Sequence, residues 1–187
     1  MVSQEVDIEI PIEERIRRLE AQQRIRDLVS RYSMAVDDRA LDELAELFAR
    51  DGAFRHLNGG TATRGRDAVR EFYLERMKTM GPSYHYPHDH IVDVTGPATA
   101  SGVVNAHAEM GIGGRCIVVA LRYNDDYVLE EDEWRFRDRA LQFRYFMDLA
   151  DLDTDYSHSK RLRFPEPMPA DLPESLPSYK EFQKLYM

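Results

Sequence analysis

The segment 84–90, YHYPHDH, is the densest group of titratable side chains in the sequence. It holds three of the six histidines, His85, His88 and His90, within six residues. An imidazole changes its protonation near neutral pH and also binds metal ions. This segment is therefore the first candidate for acid-base or metal chemistry.

A metal site here would draw on His85 with His88, or on His88 with His90. Zinc-binding histidines at such spacings normally need a helix or further ligands, and no cysteine or glutamate pattern accompanies them. In a strand, alternate side chains face opposite sides, so we expect His88 and His90 on one face and His85 on the other unless a bulge intervenes. We therefore expect no metal, and we expect His88 and His90 to be solvent-exposed imidazoles.

Two further candidates, Tyr32 and Asp37, close the first predicted helix. Apolar residues recur with helical spacing from Ile12 to Val36 and predict this helix, and a second helical pattern spans residues 41–48. A carboxylate between two helices can cap the second helix by accepting its free backbone N–H groups. From the residues alone, Asp37 is either a helix cap or a functional acid.

The elements that must position these side chains follow one another in two blocks. A short strand is predicted at residues 53–57 and a third helix at 66–80. Segments 91–94, 98–110, 115–127 and 134–147 are rich in β-branched and aromatic residues, which predicts four consecutive strands. Helices first and strands later indicate an α+β fold, with an antiparallel sheet covered by helices on one face.

Length and charge limit the possible partners. The 187 residues suit one domain, expected at residues 1–163, and a net charge of −9 disfavours nucleic acid and anionic membranes. The sequence has no long apolar run and no basic, apolar leader, so we expect a cytoplasmic protein. The single cysteine, Cys116, lies in an apolar run and is expected to be packed in a strand without chemistry.

The C-terminal segment 164–187 contains five of the nine prolines and is predicted to be an extended arm. A helix can form only from about Ser178. The aromatic residues near its end would suit docking on the domain or on a neighbouring subunit, whereas a frayed terminus is the alternative.

The segments YSMAVDDRALDEL, which begins at Tyr32, and LFARD, which begins at Leu47, resemble the opening of SnoaL-like proteins of the NTF2-like superfamily. The His85-Tyr-Pro-His88 run is similar to that of the bile-acid 7-alpha-dehydratase, and scytalone dehydratase belongs to the same group. The resemblance covers roughly residues 13–151. It implies an NTF2-like cone, in which N-terminal helices pack on a curved, mostly antiparallel sheet that encloses a pocket.

The resemblance also implies roles for individual residues. In this superfamily an aspartate that closes the first helix partners a histidine that opens the strand after the third helix, here Asp37 and His85. Tyr32 is implied as a third catalytic residue. Substrate-binding residues implied by the resemblance are His88, His107 and Arg144, although strand alternation could turn His107 to either face.

A neutral imidazole can remove a proton next to a carbonyl, and a carboxylate on its other nitrogen fixes the tautomer. Together with this chemistry, the resemblance implies an enzyme without metal or cofactor, a dehydratase that eliminates water from a hydrophobic cyclic hydroxy-carbonyl compound such as a steroid or polyketide. Cyclase or isomerase chemistry with the same residues remains open, as does a non-catalytic binding or assembly subunit. The family resemblance implies a homodimer or homotrimer.

Overall fold

The computed structural model describes residues 10–57, 61–152, 160–163, 168–170 and 176–187. In chain order the elements are α1 (Ile12–Asp37), α2 (Leu41–Glu46), β1 (Phe48–His56), β2 (Ala62–Arg64), α3 (Arg66–Thr79), β3 (Ser83–Val94), β4 (Thr99–Ile112), β5 (Arg115–Glu130), β6 (Glu133–Asp148), a 3₁₀ turn (Leu149–Asp151), β7 (Leu162–Arg163), β8 (Met168–Pro169) and α4 (Pro177–Tyr186).

The strands form one sheet in the order β2-β1-β6-β5-β4-β3, with β7 beside β6 and β8 beside β7. Every pairing is antiparallel except that of β1 with β6, which is parallel. Irregular register between β3 and β4 and between β5 and β6 accompanies these long strands, and such bulges increase strand bending and twist. The predicted α+β class with a mostly antiparallel sheet is confirmed.

The core lies between the N-terminal helices and one face of this sheet. Helix α1 contacts β3 and β6, and it buries Ile25, Leu28 and Val29 against them. On β4 the buried positions alternate with outward ones, as Val104 and Ala106 show. The helices therefore cover the inner sheet face, as the order of the elements predicts.

The second helix ends earlier than its pattern predicts. Helix α2 stops at Glu46, and Phe48 begins β1 instead of continuing the helix. Phe48 pairs with Phe136 of β6, and their ring centroids lie 5.2 Å apart in the core. Burial of this aromatic pair in the sheet outweighs the local helical spacing, so strand β1 starts before the predicted residues 53–57.

The expectation for Cys116 is half wrong. It lies in a strand, opposite Gly111 of β4, but its side chain is exposed. The reason is its position, because it is the second residue of β5 beside the hairpin tip Gly113-Gly114, next to the exposed Arg115. Within the described residues, no helix has both the length and the apolar character needed to cross a bilayer.

Part of the predicted C-terminal arm can be compared with the structure. Residues 164–167 and 171–175 of that arm lie outside the described residues, as do residues 1–9. Helix α4 begins at Pro177, next to the predicted start, and it buries none of its side chains. The domain boundary at residues 163 and 164 stays a prediction.

Candidate active site

His85 and Asp37 are in direct contact. The Nδ1 atom of His85 lies 2.6 Å from Oδ1 of Asp37, and the backbone N–H of His85 donates to Oδ2 at 2.8 Å. Each side chain is 13% exposed. The last residue of α1 thus receives two hydrogen bonds from the third residue of β3, with Nδ1 as donor. In that tautomer Nε2 is left as the basic nitrogen.

Neighbouring polar groups hold the Asp37 carboxylate in this position. Ser83 Oγ donates to Asp37 Oδ1 at 3.2 Å, and Arg39 Nη1 donates to Ser83 Oγ at 3.4 Å. Helix α2 has Ala40 at its N-cap and no side-chain cap, so Asp37 does not cap that helix. The helix-cap interpretation of Asp37 is therefore wrong, and the carboxylate serves His85 instead.

His85 opens into a pocket enclosed by α1, α3 and the inner face of the sheet. Most of its wall is aromatic, aliphatic or thioether, which is typical of sites for hydrophobic small molecules. The lining residues are Tyr32, Val36, Arg39, Phe54, His56, Phe72, Tyr73, Arg76, Met77, Met80, Ser83, His85, Met110, Leu121, Tyr123, Leu141 and Phe143.

Three tyrosines that contact one another, Tyr32, Tyr73 and Tyr123, line one part of this pocket. The hydroxyls of Tyr32 and Tyr73 are hydrogen-bonded, and the ring of Tyr123 lies 6.0 Å from that of Tyr32, centroid to centroid. All three side chains are buried, and burial raises the pKa of each phenol well above its ordinary value. They are therefore neutral hydrogen-bond donors at physiological pH.

A buried cation lies behind these tyrosines. The guanidinium carbon of Arg139 is 3.7 Å from the ring centroid of Tyr123 and 4.1 Å from that of Tyr32. Its Nη1 lies 3.2 Å from Oδ2 of Asp125, and both side chains of this ion pair are fully buried. The positive charge of Arg139 opposes the effect of burial on the Tyr32 pKa and favours negative charge at the tyrosine hydroxyls.

Sequence reasoning missed this ion pair, although the sequence carries a signal for it. Inward positions of β5 alternate, and Asp125 falls between the buried Tyr123 and Tyr127 in that series. Arg139 is its cross-strand partner on β6. A carboxylate at a core position requires a nearby cation, because an unpaired charge is very costly to bury.

The histidines of segment 84–90 do not follow simple alternation. The register of β3 shifts between Pro87 and His90, which turns His90 onto the inner face with His85. His90 Nε2 lies 3.1 Å from the Tyr127 hydroxyl, and burial, together with the Arg139 charge, lowers the pKa of His90 to about 4. The expectation that His90 is an exposed imidazole on the same face as His88 is wrong, because the bulge reverses the alternation.

His88 and His107 lie together on the outer face of the sheet. Their rings are stacked with centroids 4.7 Å apart, His88 Nε2 contacts His107 Nδ1, and Tyr86 stacks on His107 from the other side. Neither histidine lines the pocket, and neither does Arg144, which is half-buried in β6 where the register is irregular. These positions do not agree with the substrate-binding roles that the family resemblance implies for the three residues.

Removing the outer histidines is expected to leave activity unchanged. Replacing His88 and His107 with alanine, singly and together, should alter kcat and KM by less than about twofold, because both rings lie across the sheet from His85. The measurement is steady-state turnover of any substrate that the wild type converts. A loss of tenfold or more in either variant would return these residues to the site.

In the described part of the chain, no group of three or more His, Cys, Asp or Glu side chains could hold a metal ion. The pair of His85 and Asp37, called the dyad below, is surrounded mainly by aromatic, aliphatic and hydroxyl side chains. These are poor ligands for divalent metals. Proton transfer by His85 with Asp37 is the chemistry that this arrangement can perform.

Comparisons with known proteins agree with the fold. A hexachlorocyclohexane dehydrochlorinase superposes with a TM-score of 0.68 at 21% identity, over 73% of this chain and 94% of that chain. A putative scytalone dehydratase from Novosphingobium aromaticivorans superposes with a TM-score of 0.66 at 19% identity, over 82% of this chain and 95% of that chain. A putative aromatic ring hydroxylase from Novosphingobium aromaticivorans gives 0.62 at 26% identity, with coverages of 76% and 97%.

A search of curated protein sequences finds no significant match. The sequence model of the SnoaL-like domain matches residues 17–140, which include most of α1, all of α3 and β3, and both Asp37 and His85. The helices packed on a curved sheet match the NTF2-like cone of the solved structures. The chain belongs to the SnoaL-like domain family.

Proposed function

We propose that this protein is a lyase that eliminates water from a hydrophobic cyclic hydroxy-carbonyl compound and requires neither metal nor cofactor. The observation that carries the proposal is the 2.6 Å contact between His85 Nδ1 and Asp37 Oδ1 at the wall of a mainly apolar pocket. A base that contacts an orienting acid at the wall of a pocket is a candidate for acid-base catalysis.

The proposed reaction is a syn elimination. His85 Nε2 takes the proton from the carbon next to the carbonyl, and Asp37 stabilises the imidazolium that forms. The electron pair of the broken C–H bond forms the new C=C bond as the C–O bond to the hydroxyl breaks. The imidazolium returns its proton to that hydroxyl on the same face, so water leaves and His85 is neutral again.

The tyrosine end of the pocket suits the charge that develops on the carbonyl oxygen. Tyr32 is a neutral donor, and the Arg139 guanidinium lies 4.1 Å from its ring. Donors held in place before the reaction stabilise an enolate without reorganisation. This arrangement supports Tyr32 as the hydrogen-bond donor to the substrate oxygen.

The names of two similar structures support elimination chemistry. The similar structures include a dehydrochlorinase and a putative scytalone dehydratase, and the names of both denote loss of a small molecule. An isomerase or cyclase would use the same base and donor, with the proton returned to carbon instead of oxygen. A small hydrophobic ligand and a homo-oligomeric assembly are the partners that we propose.

The test is a screen of cyclic hydroxy-ketones for loss of water, followed by mass spectrometry and by absorbance of the conjugated product. Wild-type protein should dehydrate a member of the panel, and the same reaction in D₂O should show deuterium at the carbon next to the carbonyl if proton removal is reversible. Product isomerised without water loss would select the isomerase alternative. A panel left unchanged in every respect would contradict the proposed lyase.

Replacing Tyr32 with phenylalanine is expected to lower kcat by about 10- to 100-fold with little change in KM, because the proposed hydrogen bond to the developing oxyanion is lost. Turnover and thermal unfolding are measured together, since Tyr32 also bonds to Tyr73 inside the core. Tyr86→Phe removes a hydroxyl from the exposed outer face and serves as the control. Equal kcat in Y32F and wild type would remove Tyr32 from the reaction.

A further inference from the structure

The charged residues that line the pocket are of one sign. The chain carries a net charge of −9, yet the lining residues described here include Arg39 and Arg76 and no Asp or Glu. Asp37 lies behind His85 and outside that lining set. In an acidic protein, the described lining of this mainly apolar pocket thus includes two arginines and no carboxylate, which favours an anion there.

Arg39 is fixed by uncharged acceptors. Its Nη1 donates to the Val36 carbonyl at 3.1 Å and to Ser83 Oγ at 3.4 Å, and its Nη2 donates to the Gly81 carbonyl at 2.5 Å. These bonds hold the guanidinium in place without a carboxylate partner on it. The Ser83 hydroxyl separates it from the Asp37 carboxylate, so its positive charge acts in the pocket with only part of it compensated.

Arg76 differs from the other cations of α3. Arg66, Arg70 and Lys78 each form an ion pair, with Glu46, Asp42 and Glu75 respectively. Among the described residues, the guanidinium of Arg76 has no hydrogen bond or ion pair of this kind, and Arg76 is the cation of α3 that lines the pocket. The chain therefore leaves one guanidinium of this helix available at the site.

The other residues around Arg76 in this pocket are neutral, whereas Glu71 and Glu75 line a separate, more open cavity with it. His56 lines the same wall, and its ring contacts those of Phe54, Phe72 and Phe143 with centroids 5.2 to 6.4 Å away. Burial and then the Arg76 charge lower the pKa of His56 to about 4, so that imidazole is neutral at physiological pH. A ring placed among these aromatic side chains would share this pocket with Arg76.

We propose that the substrate is a hydrophobic cyclic carboxylate whose anionic group pairs with Arg76, with Arg39 adding to the attraction. The inference rests on the proposed function, because it assumes that the reacting end of the same molecule lies at His85. Arg76 is then a specificity-determining residue, which selects the anion over a neutral molecule of the same shape. Guanidinium and carboxylate match in geometry as well as in charge.

The test uses two probes of nearly equal shape, sodium 2-naphthoate and 2-naphthamide, titrated into the full chain by NMR or calorimetry. Wild type should bind the carboxylate about fivefold more tightly than the amide at low salt, and the preference should weaken at 0.5 M NaCl. Arg76→Gln should abolish the preference. Arg76→Glu should weaken the binding of naphthoate by about tenfold or more and leave the affinity for the amide unchanged.

The matched control is Arg70→Glu, which makes the same charge change on the same helix at a residue that does not line the pocket. It should keep the wild-type preference. The proposal is overturned if wild type binds both probes equally, or if it does not bind naphthoate at millimolar concentration. It is also overturned if R76Q keeps the preference for naphthoate, or if R70E weakens naphthoate binding as much as R76E does.

The outcome is separable from that of the proposed function. His85→Ala should keep the preference for naphthoate over naphthamide, because that preference is set at Arg76 and not at the base. If binding depends on Arg76 but no compound is dehydrated, the proposal of an anionic ligand stands and the proposed lyase activity is rejected. Dehydration that depends on His85, with no effect of Arg76 on binding, would do the reverse.

Discussion

Replacing His85 with alanine is expected to lower kcat for the dehydrated substrate by about 10⁴-fold or more. General acid or base catalysis contributes about 10² to 10⁴ in rate, and in the proposed mechanism one imidazole performs both proton transfers. The side chain is mostly buried at the pocket wall, and its Nδ1 contact with Asp37 is the geometry that orients it. Steady-state turnover under saturating substrate measures the loss.

The matched variant is Asp37→Asn, which keeps the size and leaves an oxygen for the backbone N–H of His85. It cannot stabilise the imidazolium, and an amide nitrogen facing Nδ1 would favour the wrong tautomer. We expect a loss of about 10² to 10⁴ in kcat. Circular dichroism and thermal unfolding should show both variants folded. Wild-type kcat in either variant would reject the dyad as the catalytic machinery.

The order and type of most elements follow from local patterns in the sequence. Helical spacing from Ile12 to Val36 predicts α1, and the change to β-branched and aromatic residues after residue 83 predicts β3 to β6. These patterns succeed because each long element buries one face against the same core. They cannot show that β1 pairs parallel to β6, since that pairing depends on Phe48 meeting Phe136 across a long stretch of chain.

The candidate site was predictable only in part, for a different reason. The geometry around Asp37 and His85 joins residues 48 positions apart, and only the likeness to other SnoaL-like proteins links them in the sequence. Strict alternation along β3 places His90 on the wrong face, because one register shift is enough to invert every later side chain. Arg76 gives no local signal, because its lack of a partner depends on how α3 packs.

The Arg139–Asp125 pair is the strongest departure from a simple hydrophobic core. It lies between Tyr123, Phe136 and Tyr32, and the Tyr127 hydroxyl donates to Asp125 Oδ2 at 3.0 Å. Burying two charges costs more than their attraction returns in many proteins, so this pair is not assumed to stabilise the fold. The Arg139 guanidinium lies against the Tyr32 ring, so its positive charge acts on the hydroxyl that we propose as the donor to the substrate oxygen.

Arg139→Met is expected to destabilise the protein by about 3 to 5 kcal/mol at pH 8, because it leaves the Asp125 carboxylate buried without its cation. Urea unfolding followed by circular dichroism measures the change. The double variant Arg139→Met with Asp125→Leu removes both charges and should recover most of the loss. A single variant as stable as wild type would mean that the pair carries little charge interaction.

The pH dependence of this variant follows from the Asp125 carboxyl. Burial raises its pKa to about 6 even with Arg139 present, so the folded state holds a proton that the unfolded state releases near pH 4. The contribution of Asp125 to the free energy of unfolding is therefore fully present below about pH 4 and is lost as the pH rises through 6. Without Arg139 the pKa of Asp125 rises further. The difference in free energy of unfolding between R139M and wild type should therefore narrow steadily from pH 8 to pH 5. A gap that is constant with pH would show that lost packing, and not the unpaired carboxylate, causes the destabilisation.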